Sequence, residues 1–228
     1  MKLFMATTVA TALACTSLAA ADHEQGKRLD AAATVLSQIM TAPERGLPDD
    51  LFQTAHCIVI VPDFKTGALG IGGKYGKGYV SCRNKDVVGW SAPGAVRIEG
   101  GSIGFQIGGS STDLIMLVMT ERGAEKLLSS KFTLGAEGSV AAGPVGRTVT
   151  AQTDVQLHAD ILSWSRSQEM FAGFAVEGAT LSEDLDDNAT LYGHKLPNRE
   201  IVASGAAPAE AARLLALLNK YSARERTN

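Results

Sequence analysis

Residues Gly100–Met119 read GGSIGFQIGGSSTDLIMLVM and predict two β-strands at the centre of the domain. The first half alternates apolar residues with glycine, serine or glutamine, which is the period-two pattern of a strand with one apolar face. Glycines fill much of the other face, which indicates that another backbone or a ligand approaches it closely. The second half, Leu114–Met119, is continuously apolar and is typical of a strand covered on both faces. We expect Gly109–Asp113 to form a polar turn between them.

A second glycine-rich segment lies upstream, at Gly67–Arg83, after the short apolar run Cys57–Val61. The apolar run predicts a buried strand that stops at a proline. Glycines recur on one face of the following segment, which predicts a glycine-lined hairpin with Lys74 and Lys77 near its tip. The spacing of these glycines matches neither a P-loop nor a dinucleotide-binding fingerprint. We therefore interpret the segment as structural rather than as a nucleotide site.

Apolar residues at helical spacing predict amphipathic helices around these strands. The first helix, Glu24–Met40, carries Lys27 and Arg28 near its start and ends before Pro43. Its apolar stripe predicts packing on the sheet, while its basic flank leaves open a helix that lies on a membrane surface. The pattern as a whole predicts an α+β fold: a single domain with a central, mostly antiparallel, glycine-rich curved sheet, barrel-like or sandwich, flanked by amphipathic helices. Further helices are expected at Pro48–Ala55, Arg122–Ser130, after the acids at 183–187, and at Pro208–Tyr221, and further strands at Phe132–Thr150, Ile161–Ser165 and Phe171–Ala179.

The first 21 residues predict a secretory signal peptide, because one charge, Lys2, precedes an apolar run and the small residues Ala19–Ala21. Cys15 follows an imperfect lipoprotein pattern, so a lipid-anchored form is the alternative. With 228 residues and 45% hydrophobic content, the chain can bury one sizeable core. We expect a periplasmic protein with a signal peptide at 1–21, one domain at 22–222 and a disordered tail at 223–228.

Charge and cysteine content limit the possible partners. The full chain carries a formal charge of −3, and removal of the signal peptide makes it one unit more negative. Non-specific binding to nucleic acid is therefore not expected. Cys57 and Cys82 remain after cleavage, and an even pair in an oxidising compartment predicts a disulfide, with two buried free thiols as the alternative.

The residues that commonly support catalysis form no recognisable motif. The four histidines lack metal-ligand spacing, and no serine stands in GxSxG, so a hydrolase would need a triad that forms only in the folded chain. The acids at 183–187 fit the first turn of a helix better than a calcium loop. We therefore expect no catalytic residues, no metal and no cofactor.

The order of several long motifs resembles the SYLF domain family, also called the Ysc84-like lipid-binding family, across about Leu29 to Leu218. The resemblance implies a non-enzymatic module with an antiparallel sheet flanked by helices, in a family whose eukaryotic relatives bind phosphoinositides and, in some cases, actin. The signal peptide makes this chain similar to an exported bacterial branch. The motifs are AHCIVIVP, GGKYGKGYVSCR, WSAP, GGSIGFQIGGSSTDLIMLVM, LGAEGSVAAGPVGR, FAGFAVEGA and the YG before His194.

The sequence thus predicts a periplasmic lipid-binding protein in which a local basic and apolar surface meets anionic phospholipid. The alternatives are an envelope interaction or assembly protein that binds another protein through an exposed sheet edge or the glycine-rich face, and a hydrolase with an unrecognised triad. Six basic residues beside apolar or glycine-rich structure are the candidates for lipid contact: Lys27, Arg28, Lys74 and Lys77, with Arg83 and Arg147 as secondary candidates.

Overall fold

The structure is a computed structural model, and it describes residues 7–42, 46–83, 88–135, 140–144, 159–167, 170–173, 176 and 178–222. Side chains are described over these ranges except within 7–22, 68–71, 102–108, 167 and 170. The described part is a mixed α+β domain in which a curled, half-barrel sheet is flanked by helices. Its elements are α1 (Thr7–Thr41), α2 (Asp49–Thr54), β1 (Cys57–Cys82), β2 (Gly94–Val118), α3 (Glu121–Leu127), β3 (Lys131–Thr133), β4 (Val140–Ala142), β5 (Ile161–Ser167), β6 (Met170–Gly173), β7 (Thr180–Glu183), α4 (Leu185–Tyr192), α5 (Asn198–Ser204), a short 3₁₀ turn (Ala209–Ala211) and α6 (Ala212–Ser222).

Strand β2 is the centre of the sheet. It pairs antiparallel with β1 along nearly its whole length, with β7 at Val96–Glu99 and with β5 at Asp113–Val118. The predicted polar turn at Gly109–Asp113 is wrong, because this segment continues the strand. Its small residues pair in register with β1, where Gly67 faces Gly109 and the hydroxyls of Thr66 and Ser110 lie 2.7 Å apart.

Strand β1 curls until its two ends meet. The predicted hairpin at Gly67–Arg83 is therefore wrong: β1 runs without a turn from Cys57 to Cys82, and its partner throughout is β2. Two irregularities in register, between Val61 and Phe64 and between Leu69 and Gly70, interrupt the ladder. Bulges and glycines increase the bend and twist of a strand, which accounts for the strong curl.

A disulfide joins the two ends of β1, between Cys57 and Cys82. This is the pair that the sequence predicts. Beside it, the backbone N–H of Arg83 donates to the carbonyl of His56 at 2.8 Å. The disulfide therefore connects the first and last residues of one curled strand.

The sheet is covered on both faces, as the apolar run Leu114–Met119 predicts. Ile115 and Leu117 pack into one buried cluster, which the helices α1, α2 and α6 cover. Leu114, Met116 and Val118 pack into a second cluster, which lies within the curl and reaches β7 and α3. The five residues from Leu114 to Val118 are all buried, so a strand with two apolar faces is confirmed.

Most predicted helices are found within a few residues of their expected bounds, but α1 begins at Thr7 instead of Glu24, and α5 was not predicted. Asp184 caps α4 by accepting from the backbone N–H of Asp187, and Gly193 ends that helix in a left-handed conformation with φ 80°. The pair β5 and β6 forms the expected antiparallel hairpin. Parts of the strands predicted at Phe132–Thr150 and Phe171–Ala179 lie outside the described residues.

Within the described ranges, no single helix combines the length and apolar composition that a bilayer crossing needs. One bent pair, α5 followed by the segment Ala209–Ser222, meets the length and composition test with a 78° angle between its parts. Leu214 and Leu218 of this pair are buried in the core of the domain.

Candidate functional site

A pocket of about 450 Å³ lies between α1 and the two ends of the curled strand β1. Its volume is within the range of small-molecule sites, which is about 300 to 1,000 Å³. The lining combines cations, carboxylates and one aromatic ring. The residues are Glu24, Lys27, Arg28 and Ala31 from α1, Pro62, Asp63 and Lys65 from the first part of β1, and Tyr75, Gly76 and Lys77 from the second part.

The helix α1 is fixed against the sheet by a buried hydrogen bond. The hydroxyl of Tyr79, which is 2% exposed, donates to the side-chain carbonyl of Gln25 at 2.7 Å. Burial raises the pKa of Tyr79, so the phenol stays protonated and remains a donor. This contact fixes the α1 side of the pocket relative to β1.

Beneath the pocket, two of its cations are bound to carboxylates of α4 and its cap. Arg28 Nη1 donates to Asp187 Oδ2 at 2.7 Å. Lys77 Nζ lies 2.9 Å from Asp184 Oδ2 and 3.0 Å from Asp187 Oδ1. The side chains of Arg28 and Lys77 are only 18% and 24% exposed, so both charges are mainly neutralised within the protein.

The ionisation of this cluster follows from its hydrogen bonds. Burial alone would lower the pKa of Lys77, but hydrogen bonds to Asp184 and Asp187 raise it overall. Burial alone would raise the pKa of Asp184, but its hydrogen bonds with Lys77 and with the backbone of Asp187 lower it overall. Lys77 and Asp184 are therefore both charged at neutral pH.

Acid should weaken this cluster. Because the folded-state pKa of Asp184 is depressed, its contribution is present above the unfolded-state pKa of about 3.9 and is lost as the pH falls through the folded-state pKa. We expect Asp184→Asn to lower the free energy of unfolding by about 2 kcal/mol at pH 7, because asparagine can still cap α4 but cannot carry the charge. The difference from wild type should shrink steadily below about pH 4.

Urea unfolding of both proteins at pH 7, 5, 4 and about 3 measures this difference. The exposed Asp186, whose side chain is 78% exposed and pairs with Lys195, supplies the control Asp186→Asn. The control should change stability by less than about 0.5 kcal/mol at every pH. An Asp184→Asn effect that stayed constant from pH 7 to pH 3 would contradict the assignment.

Asp63 gives the pocket an oriented carboxylate. Its backbone is left-handed, with φ 55°, and its N–H donates to Asp113 Oδ1 at 3.1 Å. The carboxylate accepts a hydrogen bond from the hydroxyl of Ser111 and pairs with Lys65 at 3.3 Å. The hydrogen bond from Ser111 is the main reason that the pKa of Asp63 is lowered, with a further contribution from Lys65. The group is ionised at neutral pH and open to solvent, with 63% of its side chain exposed.

Four other lining residues are open to solvent. Lys27 is exposed, the side chains of Glu24 and Lys65 are 68% and 66% exposed, and Tyr75 is 45% exposed. Among the described residues, Tyr75 and Val88 are the two large apolar side chains that are exposed. The pocket thus has two exposed lysines and an exposed tyrosine ring above Arg28 and Lys77, whose charges are neutralised by carboxylates.

The family described as "Ysc84: Las17-binding protein actin regulator" matches residues 99–221, which is more than half of the chain. The chain belongs to the Ysc84 family. This is the family that the motif series resembles, and the match covers most of β2, the helices after it and the strands between them.

Three curated relatives of the Ysc84 family illustrate the similarity. The SH3 domain-containing protein PJ696.02 of Schizosaccharomyces pombe is 32% identical over 177 residues, which are 76% of this chain and 41% of that protein. LAS seventeen-binding protein 3 of Saccharomyces cerevisiae is 30% identical over 165 residues, which are 71% of this chain and 36% of that protein. SH3 domain-containing YSC84-like protein 1 of Homo sapiens is 29% identical over 182 residues, which are 79% of this chain and 53% of that protein. The chain therefore spans about a third to a half of each of these relatives.

Within this Ysc84-family chain, the structure brings three of the predicted lipid-contact residues into one pocket. Lys27, Arg28 and Lys77 line it together, although Arg28 and Lys77 are bound to internal carboxylates. Lys74 is partly buried in β1 and is not among the lining residues. It lies in the interior of a strand and not near a hairpin tip.

The side chain of Arg83 connects secondary-structure elements of the domain. Its guanidinium donates to the carbonyls of Ala55, Phe52 and Ser222 and lies 4.4 Å from the ring centre of Trp90. These carbonyls are at the ends of α2 and α6, so Arg83 connects both helices to the end of β1. Arg147 lies outside the described residues.

Asp63, Lys65, Asp184 and Asp187 were missed as members of the site. Asp63 and Lys65 follow Pro62 closely, and a proline that interrupts a strand is a signal for a bulge. No sequence signal places the α4 acids beneath Lys77, because the two segments are 110 residues apart. Among the described residues, no group of three or more histidine, cysteine, aspartate or glutamate side chains is arranged to hold a metal ion.

Proposed function

We propose that this chain is a non-enzymatic, periplasmic lipid-binding protein that associates with anionic phospholipid membranes. The observation that carries the proposal is the pocket beside α1, where the exposed Lys27, Lys65 and Tyr75 lie together. Lysines next to an anionic bilayer each contribute about 1 kcal/mol of binding at low ionic strength. An exposed tyrosine is suited to the interface, because its ring is apolar and its hydroxyl is polar.

Three further observations support this proposal. The signal-peptide pattern at residues 1–21 implies export. The disulfide between Cys57 and Cys82 suits an oxidising compartment. The relatives carry the names of binding or regulatory proteins, which agrees with a non-enzymatic role. A lipoprotein attached through Cys15 would place the same pocket near a membrane.

The proposal predicts a loss of membrane binding when the exposed lysines are reversed. The double variant Lys27→Glu/Lys65→Glu should bind vesicles containing phosphatidylglycerol at least about thirtyfold more weakly than wild type at low salt, because two attractions of about 1 kcal/mol each are removed. The difference should decrease at high salt, where these charges are screened. Co-sedimentation with vesicles of phosphatidylcholine, with and without phosphatidylglycerol, measures both effects.

A matched control separates the pocket from net charge. The double variant Lys131→Glu/Lys195→Glu makes the same change in net charge at two exposed lysines that do not line the pocket. It should retain binding within about threefold of wild type, since charges farther from the membrane than about 10 Å are screened. Equal losses in both double variants would assign the binding to overall charge and remove the pocket from the proposal.

A second candidate function is that of an envelope protein-binding module. It is favoured by the names of the relatives, which include a Las17-binding protein actin regulator and LAS seventeen-binding protein 3. In the described part of the sheet, β3 lies at the end of the strand order with β7 as its neighbour, so its outer edge could accept a strand from a partner. Absence of vesicle binding together with saturable capture of one envelope protein in detergent would favour this candidate.

A further inference from the structure

The charges of the pocket do not form a simple anion site. Four cations line it, Lys27, Arg28, Lys65 and Lys77, together with two carboxylates, Glu24 and Asp63. Two more carboxylates, Asp184 and Asp187, hold Lys77 from beneath. The charges of this group cancel, so a purely anionic small molecule inside the pocket gains little from the overall field, although the exposed Lys27 and Lys65 remain available to a membrane surface.

Both walls of the pocket carry cations and carboxylates. Lys27 and Arg28 lie on α1 together with Glu24, and Asp63 lies in the bulge of β1 together with Lys65. The exposed Lys27 and the carboxylate of Asp63 are therefore on opposite walls. Asp63 is held in place by its left-handed backbone, by the hydroxyl of Ser111 and by Lys65. A ligand that spans the pocket therefore meets a cation on one wall and a fixed carboxylate on the other.

A group that carries both charges within a few ångströms matches this arrangement. We infer that the pocket binds a compact zwitterion that combines a phosphate with a primary ammonium, as in the phosphoethanolamine group. The phosphate is placed against the exposed Lys27, whose ammonium is suited to donating to phosphate oxygens. The ammonium is placed against Asp63, with the exposed ring of Tyr75 available for a cation–π contact.

The chemistry of Asp63 favours a primary over a quaternary ammonium. An ammonium with N–H groups can donate a hydrogen bond to the carboxylate, and charge-assisted bonds of this kind are among the stronger ones in proteins. Choline has no N–H, so it can offer Asp63 only an unspecific attraction. This inference rests on the proposed function, because it names the head group that the same pocket would select.

The test begins with soluble head groups and the mature chain. Isothermal titration should show that glycerophosphoethanolamine binds at least about tenfold more tightly than glycerophosphocholine or glycerol 3-phosphate, the difference expected when a charged group loses its hydrogen-bond partner. Equal binding of glycerophosphoethanolamine and glycerophosphocholine, tighter binding of glycerol 3-phosphate, or no binding of any of them would overturn the inference. The free amino acid glycine tests whether any zwitterion suffices, and tighter binding of glycine would also overturn it.

Asp63→Asn then tests the role of the carboxylate. Asparagine tolerates the same left-handed backbone, has nearly the same size and can still accept the hydrogen bond from Ser111, so the variant should fold normally and melt only slightly below the wild type. It should lose the preference for ethanolamine over choline while its affinity for glycerol 3-phosphate stays within about threefold. Asp186→Asn, at an exposed carboxylate outside the pocket lining, is the matched control and should keep the preference. Retention of the preference in Asp63→Asn would exclude Asp63 as the ammonium partner.

Vesicles separate this inference from the proposed function. Phosphatidylethanolamine added to phosphatidylcholine vesicles should increase binding by the mature chain, and Asp63→Asn should abolish that increase. Phosphatidylglycerol added instead tests the anionic attraction of the exposed lysines. Binding that responds to phosphatidylglycerol and not to phosphatidylethanolamine overturns the head-group inference alone, whereas the reverse response overturns the anionic proposal.

Discussion

Replacing Gly78 by alanine is expected to lower the free energy of unfolding by about 3 kcal/mol, at the upper end of the usual cost of overpacking. A β-carbon at Gly78 would lie 2.0 Å from the carbonyl oxygen of Ile60 and 2.7 Å from the α-carbon of Val61. Both atoms belong to the backbone at the other end of the same strand. A flexible side chain cannot move aside to relieve this clash, so the two ends of the curled β1 would have to separate.

Gly67→Ala is the matched control for this substitution. Gly67 lies in β1 as well, but a β-carbon there would meet no atom within 4 Å. The control should change stability by less than about 0.5 kcal/mol. Urea unfolding at a constant m-value measures both variants. Equal urea midpoints for Gly78→Ala and wild type would show that Gly78 lies farther from the backbone of Ile60 and Val61 than it does in the structure.

Local patterns predicted much of this fold correctly. The apolar run from Leu114 and the apolar stripe of α1 indicate which faces of these elements are buried. The acids at the start of α4 indicate where that helix begins. The curl of β1 could not be predicted in the same way. Glycines at Gly76 and Gly78 indicate close approach of another atom, and only the fold shows that the approaching backbone is the start of the same strand.

The candidate site was also predicted only in part, because local patterns do not show which distant residues meet in the fold. Lys27 and Arg28 could be found because they flank an amphipathic stripe, and Lys77 because it follows glycines. Their electrostatic roles could not be found, since they depend on Asp184 and Asp187, which the tertiary fold brings beneath the pocket. Because Lys27 and Lys65 are exposed, they can attract a membrane surface. Arg28 and Lys77 instead form ion pairs with the carboxylates beneath the pocket.

Removal of the disulfide is expected to cost roughly 3.5 kcal/mol of stability, the chain-entropy estimate for this loop. The bond joins residues 25 positions apart, and both sulfur-bearing residues are buried, with Cys57 1% and Cys82 3% exposed. In the folded protein it holds the ends of β1 where Gly78 crosses the start of the strand. In the unfolded chain it restricts the loop between the cysteines, and that restriction is the origin of the stabilisation. The loss is a large share of the net stability of a domain, which is about 5 to 15 kcal/mol.

The double variant Cys57→Ala/Cys82→Ala measures this effect by urea unfolding, with reduced wild-type protein as its internal comparison. Reductant should lower the stability of the wild type to within about 1 kcal/mol of the double variant and should leave the double variant unchanged, because the same covalent bond is missing in both. Thiol titration of the denatured, unreduced protein should find almost no free thiol at these two positions. Two reactive thiols per chain, or a wild type whose unfolding midpoint does not respond to reductant, would contradict the bond. A stable double variant would also show that the backbone contacts between Arg83 and His56 suffice to close the strand on itself.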